Sequence, residues 1–513
     1  MISEKENNKR IAKNTLLLYF RMIFMMVISL YTSRVNLNAL GIDNFGIYNV
    51  VGGVVAMSGL FTAALSSSIS RFLTFELGKG NKNKLNSVFS TSVSIQFCIA
   101  FIILILGETI GLWFLNEKLV IPDERLYAAN WVYQFSLISC FVGLISVPYN
   151  AAIIAHEKMS AFAYISIIEA IGKLLVAFSI MITPIDKLIW FSGFILVNSL
   201  VIRFIYGYYC GKHFEECRYH FVFDKTLLKN MFGYAGWNFL GSCGAVLRDQ
   251  GGNIIINLFC GPAVNAARGV SVQVNTAVIG FVTNFMTALN PQITKSYACG
   301  NKPYMYTLIQ QGSRLSFYIL LFLACPILVN TEYILQLWLK IPPQHAAEFI
   351  RLVLLFALSE SISHTIITAM QATGNIRNFQ LTAGLLQLLN LPLAYFCLWL
   401  GGPPEVIFCV SIFISQISFF VRLYMLHNAI GISIAKFIHK VYINVLCVSI
   451  IAVSIPFLIG FYLEKNFLTF ILLCCICCAT TSISILIVGC NQNERKFVLS
   501  KVKSSYYKMI KNR

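Results

Sequence analysis

An all-α integral membrane protein is the fold class that this 513-residue sequence predicts, on three observations. Hydrophobic residues make up 57% of the chain and charged residues only 12%, with a mean hydropathy of +0.73. Soluble domains carry about 25% charge, so the composition excludes an ordinary water-soluble fold, disorder and a secreted disulfide scaffold. Apolar stretches of the roughly 20 residues that cross a bilayer recur about fourteen times with short polar breaks between them. Lysine and arginine, 39 against 21 acids for a net +18, alternate between rich and poor loops.

The predicted spans are 12–35, 45–70, 88–114, 129–154, 160–182, 188–208, 230–257, 264–290, 305–330, 348–371, 379–400, 405–427, 438–462 and 467–489. With the N-terminus inside, inside segments hold about 26 basic residues and outside segments about 5. The expected topology crosses a membrane many times with both termini in the cytoplasm. No outside loop exceeds about 18 residues, which leaves no room for an extramembrane catalytic domain. The basic tail from Glu494 to Arg513 is placed either against anionic headgroups or in solution.

An internal repeat organises these spans. Sliding the chain by about 220 residues sets Gly41 on Gly261, Val50 on Val270, Val54 on Val274, Thr74 on Thr294, and Gly80-Asn81-Lys82 on Gly300-Asn301-Lys302. A weaker match at about 217 sets Ala155 on Ala372 and Phe162 on Phe379. Two six-helix pseudo-symmetric lobes follow, with a central cavity between them and two added C-terminal helices. The expected organisation is a cytoplasmic N-terminus at 1–11, an N-lobe at 12–208 and an inter-lobe loop at 209–229. A C-lobe at 230–427, two further helices within 438–489 and the basic tail at 490–513 complete it.

Of the basic residues, about eight remain inside spans: Arg21, Arg34, Lys173, Arg203, Arg248, Arg268, Arg314 and Arg351. A charge at mid-bilayer costs roughly 2.5–3.5 kcal/mol, so such residues face an interior or a wet cavity; near a helix end they snorkel. Depth assigns Arg203 and Arg351 to snorkelling and leaves both readings open for Arg34 and Arg268. Arg21, Arg248 and Arg314, each about ten residues or more into a helix and so about 15 Å deep, are the best candidates for a cationic site. The glycines after Asp249, Gly251 and Gly252, are read as a bend or as close helix packing.

The acids inside spans are Glu108, Glu169, Asp249 and Glu360. Glu169 precedes Lys173 by four residues, the spacing of a self-neutralised pair on one helix face. Glu360 and His364 share that spacing, and a carboxylate beside an imidazole is able to carry a proton near neutral pH. These residues, with Asp249, are the candidates for ion coupling; an inter-helix structural hydrogen bond is the competing reading of the Glu360 pair. The sixteen cysteines, four of them at 474, 475, 477 and 478 in one apolar run, are read as small hydrophobes. No metal or cofactor is expected beyond a proton or sodium gradient. Phosphate-loop, zinc-protease and nucleophile-elbow motifs do not occur, and the charge pattern excludes a nucleic-acid partner.

The opening Asn8-Lys9-Arg10-Ile11-Ala12-Lys13-Asn14-Thr15, the loop Leu40-Gly41 through Phe45-Gly46-Ile47-Tyr48-Asn49, and the run from Ser66 to Gly80 resemble bacterial polysaccharide-biosynthesis flippases of the Wzx type. These belong to the superfamily of multidrug and toxin extrusion (MATE) carriers and lipid II flippases. The resemblance implies fourteen helices in two lobes and transfer of an undecaprenyl-pyrophosphate-linked oligosaccharide, such as an O-antigen or capsule repeat unit, between leaflets of the bacterial inner membrane. It also implies a cationic cavity, into which Arg21 in the first helix fits, an ion gradient, and membrane lipids, a glycan polymerase and chain-length machinery as partners. The residues point the same way: arginine forks suit pyrophosphate oxygens, and Asn238, Gln250, Asn253, Gln273, Asn275 and Asn284 are placed to line a path for sugar. The competing readings are a multidrug cation antiporter of the same fold, which would want cavity acids, and a membrane glycan polymerase or ligase, which would want a large outside loop.

Overall fold

The computed structural model describes residues 4–40, 44, 47–48, 51, 59–117, 121–183, 185–221, 224–339, 342–462, 466–492 and 494–496. Among the described residues there is no strand, and twelve helices are long and apolar enough to cross a membrane. The sequence predicts fourteen. The two spans that make the difference are 45–70, much of which lies outside the described residues, and 230–257, which is helical but is not one of the twelve.

The chain folds into two compact units. Unit 1 comprises Met1–Ser242, Thr287–Lys302 and Gly374–Arg377; unit 2 comprises Cys243–Met286, Pro303–Thr373 and Asn378–Arg513. Unit 1 therefore takes in two short segments from the second half of the sequence. Its helices are α1 (Glu4–Leu40), α2 (Gly59–Lys79), α3 (Lys82–Leu106), α4 (Asp123–Ala155), α5 (Met159–Ser179) and α6 (Lys187–His213), with both ends of α7 (Lys225–Ala298). Unit 2 holds the middle of α7, then α8 (Lys302–Val329), α9 (Thr331–Leu339), α10 (Ala346–Ser361), α11 (His364–Thr373), α12 (Arg377–Leu388) and α13 (Asn390–Trp399). It ends with α14 (Val406–Ile430), α15 (Asn444–Tyr462) and α16 (Phe467–Ser484).

The 74 residues of α7 are unbroken helix, although the hydropathy pattern predicts two separate spans there. They do not form one rod. The Arg268 guanidinium donates to the backbone oxygen of Asp249 at 2.7 Å, and nineteen residues of straight helix would hold those groups about 28 Å apart. The helix therefore doubles back between them, in the interval that contains Gly261 and Pro262, and a proline without an N–H is a standard cause of such a bend.

Burial inverts the soluble pattern. Inside unit 1, Leu65, Ile69, Leu73, Val88, Phe89 and Ile153 form a core across α2, α3 and α4. Large apolar side chains such as Phe97, Phe101, Ile102 and Phe204 stay exposed, because lipid is as apolar as they are and nothing drives them inward.

The repeat is written into the backbone. Gly80 (φ 70°) and Gly300 (φ 72°) are both left-handed. Each closes its helix through the same bonds, Gly80 N to Leu77 O with Asn81 N to Glu76 O, and Gly300 N to Tyr297 O with Asn301 N to Ser296 O. This paired closure is the glycine-terminated helix end, repeated at a spacing of 220 residues. Thr74 and Thr294 are both buried. The weaker shift of 217 also has a backbone counterpart, since Glu157 (φ 58°) and Gly374 (φ 81°) are left-handed at the ends of equivalent helices.

Candidate functional site

In unit 2 the polar interior gathers where helices are interrupted. Only Ile362 and Ser363 separate α10 from α11, in the run Ser359-Glu360-Ser361-Ile362-Ser363-His364, and serine hydroxyls that bond back to the backbone, as Ser361 Oγ does to Leu358 O at 2.7 Å, compete with helix continuation. Likewise α12 yields to α13 beside Pro392, which has no N–H to offer the preceding turn. Each break carries a polar group into the interior: Glu360 and His364 at the first, Gln387 and Asn390 at the second.

Arg248 is the hub of this set. It donates to Asp249 Oδ1 at 2.8 Å and to Gln387 Oε1 at 2.9 Å, while its guanidinium lies 4.7 Å over the Phe356 ring. Glu360 feels the charges of Arg248 and His364, but its partner is Arg422, whose Nη1 donates to Glu360 Oε2 at 3.1 Å. This bond from α14 matches the inter-helix structural reading of Glu360, while His364 stays within electrostatic reach of the carboxylate. A polar seam runs alongside, from Ser359 to Ser415 at 2.5 Å, from Gln416 Nε2 to Ser359 at 2.6 Å, and from Tyr442 to Gln416 at 2.8 Å.

Arg268 differs from the other arginines of unit 2. It is 6% exposed, lies 5.7 Å from the Phe408 ring and within electrostatic reach of Arg248, and uses Nη2 on the Asp249 carbonyl. Among the described residues no carboxylate stands at ion-pair distance from it, and its Nε has no hydrogen-bond partner. A bulkier residue at Gly252 would collide with this guanidinium, so the glycine makes room for it. Three guanidiniums, Arg248, Arg268 and Arg422, face two carboxylates, Asp249 and Glu360, leaving the interior positive.

Arg314, expected among the cationic-site residues, is committed elsewhere. Its Nη2 meets Glu494 Oε1 at 2.7 Å and its Nη1 donates to the Gly489 carbonyl at 3.1 Å. The reason is local: α8 brings a 4% exposed guanidinium to the end of the last helix, where carbonyls lack intrahelical donors. The basic tail beyond Lys496 lies outside the described residues.

In unit 1, Arg21 of α1 sits 4.3 Å over the Phe162 ring of α5, within reach of the Glu169 and Tyr206 side chains. Glu169 and Lys173 form the expected i,i+4 pair at 2.6 Å, and Arg203 stacks 4.1 Å over Tyr149. Gly172 admits Asn198, whose amide reaches the Glu169 carbonyl at 3.4 Å. Arg351 pairs with Glu332 at 3.3 Å, and Glu108 accepts from Gln134 at 3.0 Å. The side chains of Arg34, Gln250 and Asn253 lie outside the described residues.

Sequence reasoning misses two residues. Arg422 sits five residues before the end of its expected span, so the loop rule counts it with the inside segments, yet it is 6% exposed and ion-paired. Arg71, which the loop rule also assigns to the inside, lies 4.7 Å from both the Phe72 and Phe75 rings; two aromatic residues three apart beside an arginine are its available signal.

Residues 10–297, more than half of the chain, match the family model described as polysaccharide biosynthesis protein. The chain belongs to that family. A second model, MatE, matches residues 242–396. The uncharacterized membrane protein EpsK of Bacillus subtilis (strain 168) is 20% identical over 299 residues, 57% of this chain and 58% of its own length, so the match spans little more than half of that relative. The fold is that of MATE transporters. A MATE structure in complex with MaD3S superposes with a TM-score of 0.71 at 13% identity over 82% of this chain and 97% of that one. A superfamily transporter from Pyrococcus furiosus, described as having a binding pocket of reverse polarity, gives 0.67 at 12% identity over 83% and 96%. Family and fold are those of a membrane flippase or transporter.

Proposed function

We propose that this chain moves an undecaprenyl-pyrophosphate-linked oligosaccharide across the bacterial inner membrane by alternating access, with both termini in the cytoplasm. The observation that carries the reading is Arg268, a buried guanidinium with no carboxylate at ion-pair distance among the described residues. An isolated buried charge is costly, and an anionic ligand removes that cost when it binds. Pyrophosphate is such a ligand, since its oxygens accept paired N–H bonds from guanidinium forks, which Arg248 and Arg268 offer within unit 2; within unit 1, Arg21 is the further candidate for an anionic group. Polar groups such as Gln387 and Asn390 suit the sugar. Glu360 with His364, and Asp249, are the groups through which a proton or sodium gradient would act; Glu169 and Lys173 neutralise each other. A cationic drug is a poorer fit, because the carboxylates of Glu169, Asp249 and Glu360 are each matched by a basic partner.

The test is complementation of a strain lacking this gene, with surface glycan quantified and membrane insertion checked by immunoblot. Arg21→Ala, Arg248→Ala and Arg268→Ala should each cut surface glycan by about ten- to a hundredfold, the worth of one or two charged hydrogen bonds, while the protein still inserts. Arg268→Lys should recover part of the loss, since charge returns without the fork. Normal glycan in all three alanine variants sinks the reading.

A further inference from the structure

Glu157 stands outside the polar interiors, between α4 and α5, and three features set it apart. First, its backbone is left-handed at φ 58°, which costs a residue with a Cβ roughly 1–2 kcal/mol. The equivalent position 217 residues later is Gly374, at φ 81°, which is the residue this helix end calls for. Second, its carboxylate is buried, with a side-chain exposure of 1%, and stands against two cations and an amide. Oε2 meets Arg10 Nε at 2.8 Å and Gln292 Nε2 at 2.5 Å, Oε1 meets Lys295 Nζ at 2.6 Å, and the Glu157 carbonyl accepts from Asn14 at 3.3 Å. Third, these donors come from the start of α1 and the end of α7, so one side chain ties together helix ends from the two sequence repeats, all within unit 1.

The surrounding contacts follow the repeat. Gly78 of α2 lets Ala298, its equivalent 220 residues on, approach so closely that an added Cβ would stand 2.7 Å from the Ala298 Cβ; Cys299 Sγ contacts the Gly78 carbonyl at 3.0 Å. The counterpart of Glu157 against α7 is Gly374 against Arg71 of α2, where an added Cβ would meet the Arg71 guanidinium. One of the two equivalent contacts is therefore charge-locked through a carboxylate and the other is made by a glycine. Next to Glu157, His156 fastens the linker: its ring bonds to Glu216 and stacks 4.1 Å from the Phe214 ring. Burial alone would push the Glu216 carboxyl up, but the His156 hydrogen bond, a backbone hydrogen bond and the charges of His156 and Lys82 hold it below its ordinary range.

We infer that Glu157 is a latch, whose carboxylate, by gripping Arg10 and Lys295, locks the ends of α1 and α7 together and whose release lets this end of unit 1 open in each transport cycle. The latch rests on reading the chain as an alternating-access carrier. A helix-capping role alone does not explain it, because glycine would fill that role without backbone strain or buried charge. Opening the helix ends would return these charged groups to water, which recovers the desolvation penalty of burying them.

Hydrogen–deuterium exchange on the full chain in nanodiscs tests this without any substrate. Glu157→Gln keeps shape and loses charge; peptides covering 10–18 and 290–300 should exchange at least about tenfold faster, with peptides from the core of α5 unchanged. Glu157→Gly separates the alternatives by sign. A mere cap predicts slower or equal exchange, as strain is relieved, whereas the latch predicts faster exchange at the same two peptides. Unchanged exchange in both variants overturns the proposal, as does a uniform rise across the whole chain, which would make Glu157 a staple of the fold. Because exchange is read on the resting protein, loss of the glycan-export reading through the arginine variants would leave this result standing, and the reverse also holds.

Discussion

Glu360→Ala should destabilise the protein by about 3–5 kcal/mol, the cost of removing one partner from a buried ion pair. The Arg422 side chain is 7% exposed and that of Glu360 15%, so deletion of the carboxylate strands a guanidinium in unit 2, with the Arg248 charge close by to add repulsion. Glu360→Gln should cost less, because an amide oxygen still accepts from Arg422. The double variant Glu360→Gln with Arg422→Gln should recover much of the loss, since no uncompensated charge remains. Thermal unfolding in detergent, followed by tryptophan fluorescence for wild type, both single variants and the double variant, measures the coupling. Equal melting temperatures for wild type and Glu360→Ala would show that the pair carries no stability. Arg248→Ala should cost less, about 1–2 kcal/mol, because Asp249 is 60% exposed and keeps access to polar surroundings, and only the buried Gln387 amide oxygen loses its donor.

The membrane class and the repeat are legible in the sequence because both are statistical properties of many residues. Hydropathy integrates over about 20 positions, and the Gly80 and Gly300 turns need glycine for a backbone reason that spacing reveals. Partnerships are legible only when local. Glu169 and Lys173 lie four apart on one helix, and their pairing follows from the helical period. Glu360 offers the same local partner in His364, and a residue 62 positions away outcompetes it. That outcome depends on how α14 packs against α10, which no periodicity in either helix encodes. The Glu157 cluster is the extreme case. Its donors are 147, 135 and 138 residues distant, and each of its basic members reads in sequence as an ordinary loop charge. Depth also misleads in one respect, since Arg314 is as deep as expected, yet depth says nothing about which end of another helix a guanidinium will meet.

Arg314 carries the second large expected effect. Its guanidinium is 4% exposed and bridges the Gly489 carbonyl and Glu494. Around it Gln311 donates to Glu494 at 3.0 Å, the Asn491 backbone N–H reaches the other carboxylate oxygen at 2.8 Å, Tyr318 bonds to Asn444, and Asn444 donates to the Val488 carbonyl at 2.9 Å. These bonds satisfy the carbonyls at the end of the last helix, which have no donors of their own, and turn the chain where it leaves that helix. Arg314→Ala removes the guanidinium that joins the Glu494 carboxylate to the Gly489 carbonyl. The expected cost is about 1.5–3 kcal/mol, the worth of a charge-assisted bridge, because Glu494 keeps Gln311 and the Asn491 N–H and the Gly489 carbonyl keeps Tyr318. The release should be local: limited proteolysis should cut the segment after Gly489 many times faster, while the melting of unit 1 holds. Glu494→Gln should loosen the same segment less, as Gly489 keeps its bond to Arg314. If Arg314 instead bound the substrate pyrophosphate as its depth alone suggests, Arg314→Lys would retain export and Arg314→Ala would abolish it with no change in proteolysis. The packing of Arg314 against Gly489 predicts the opposite order, a change in tail cleavage that precedes any loss of export.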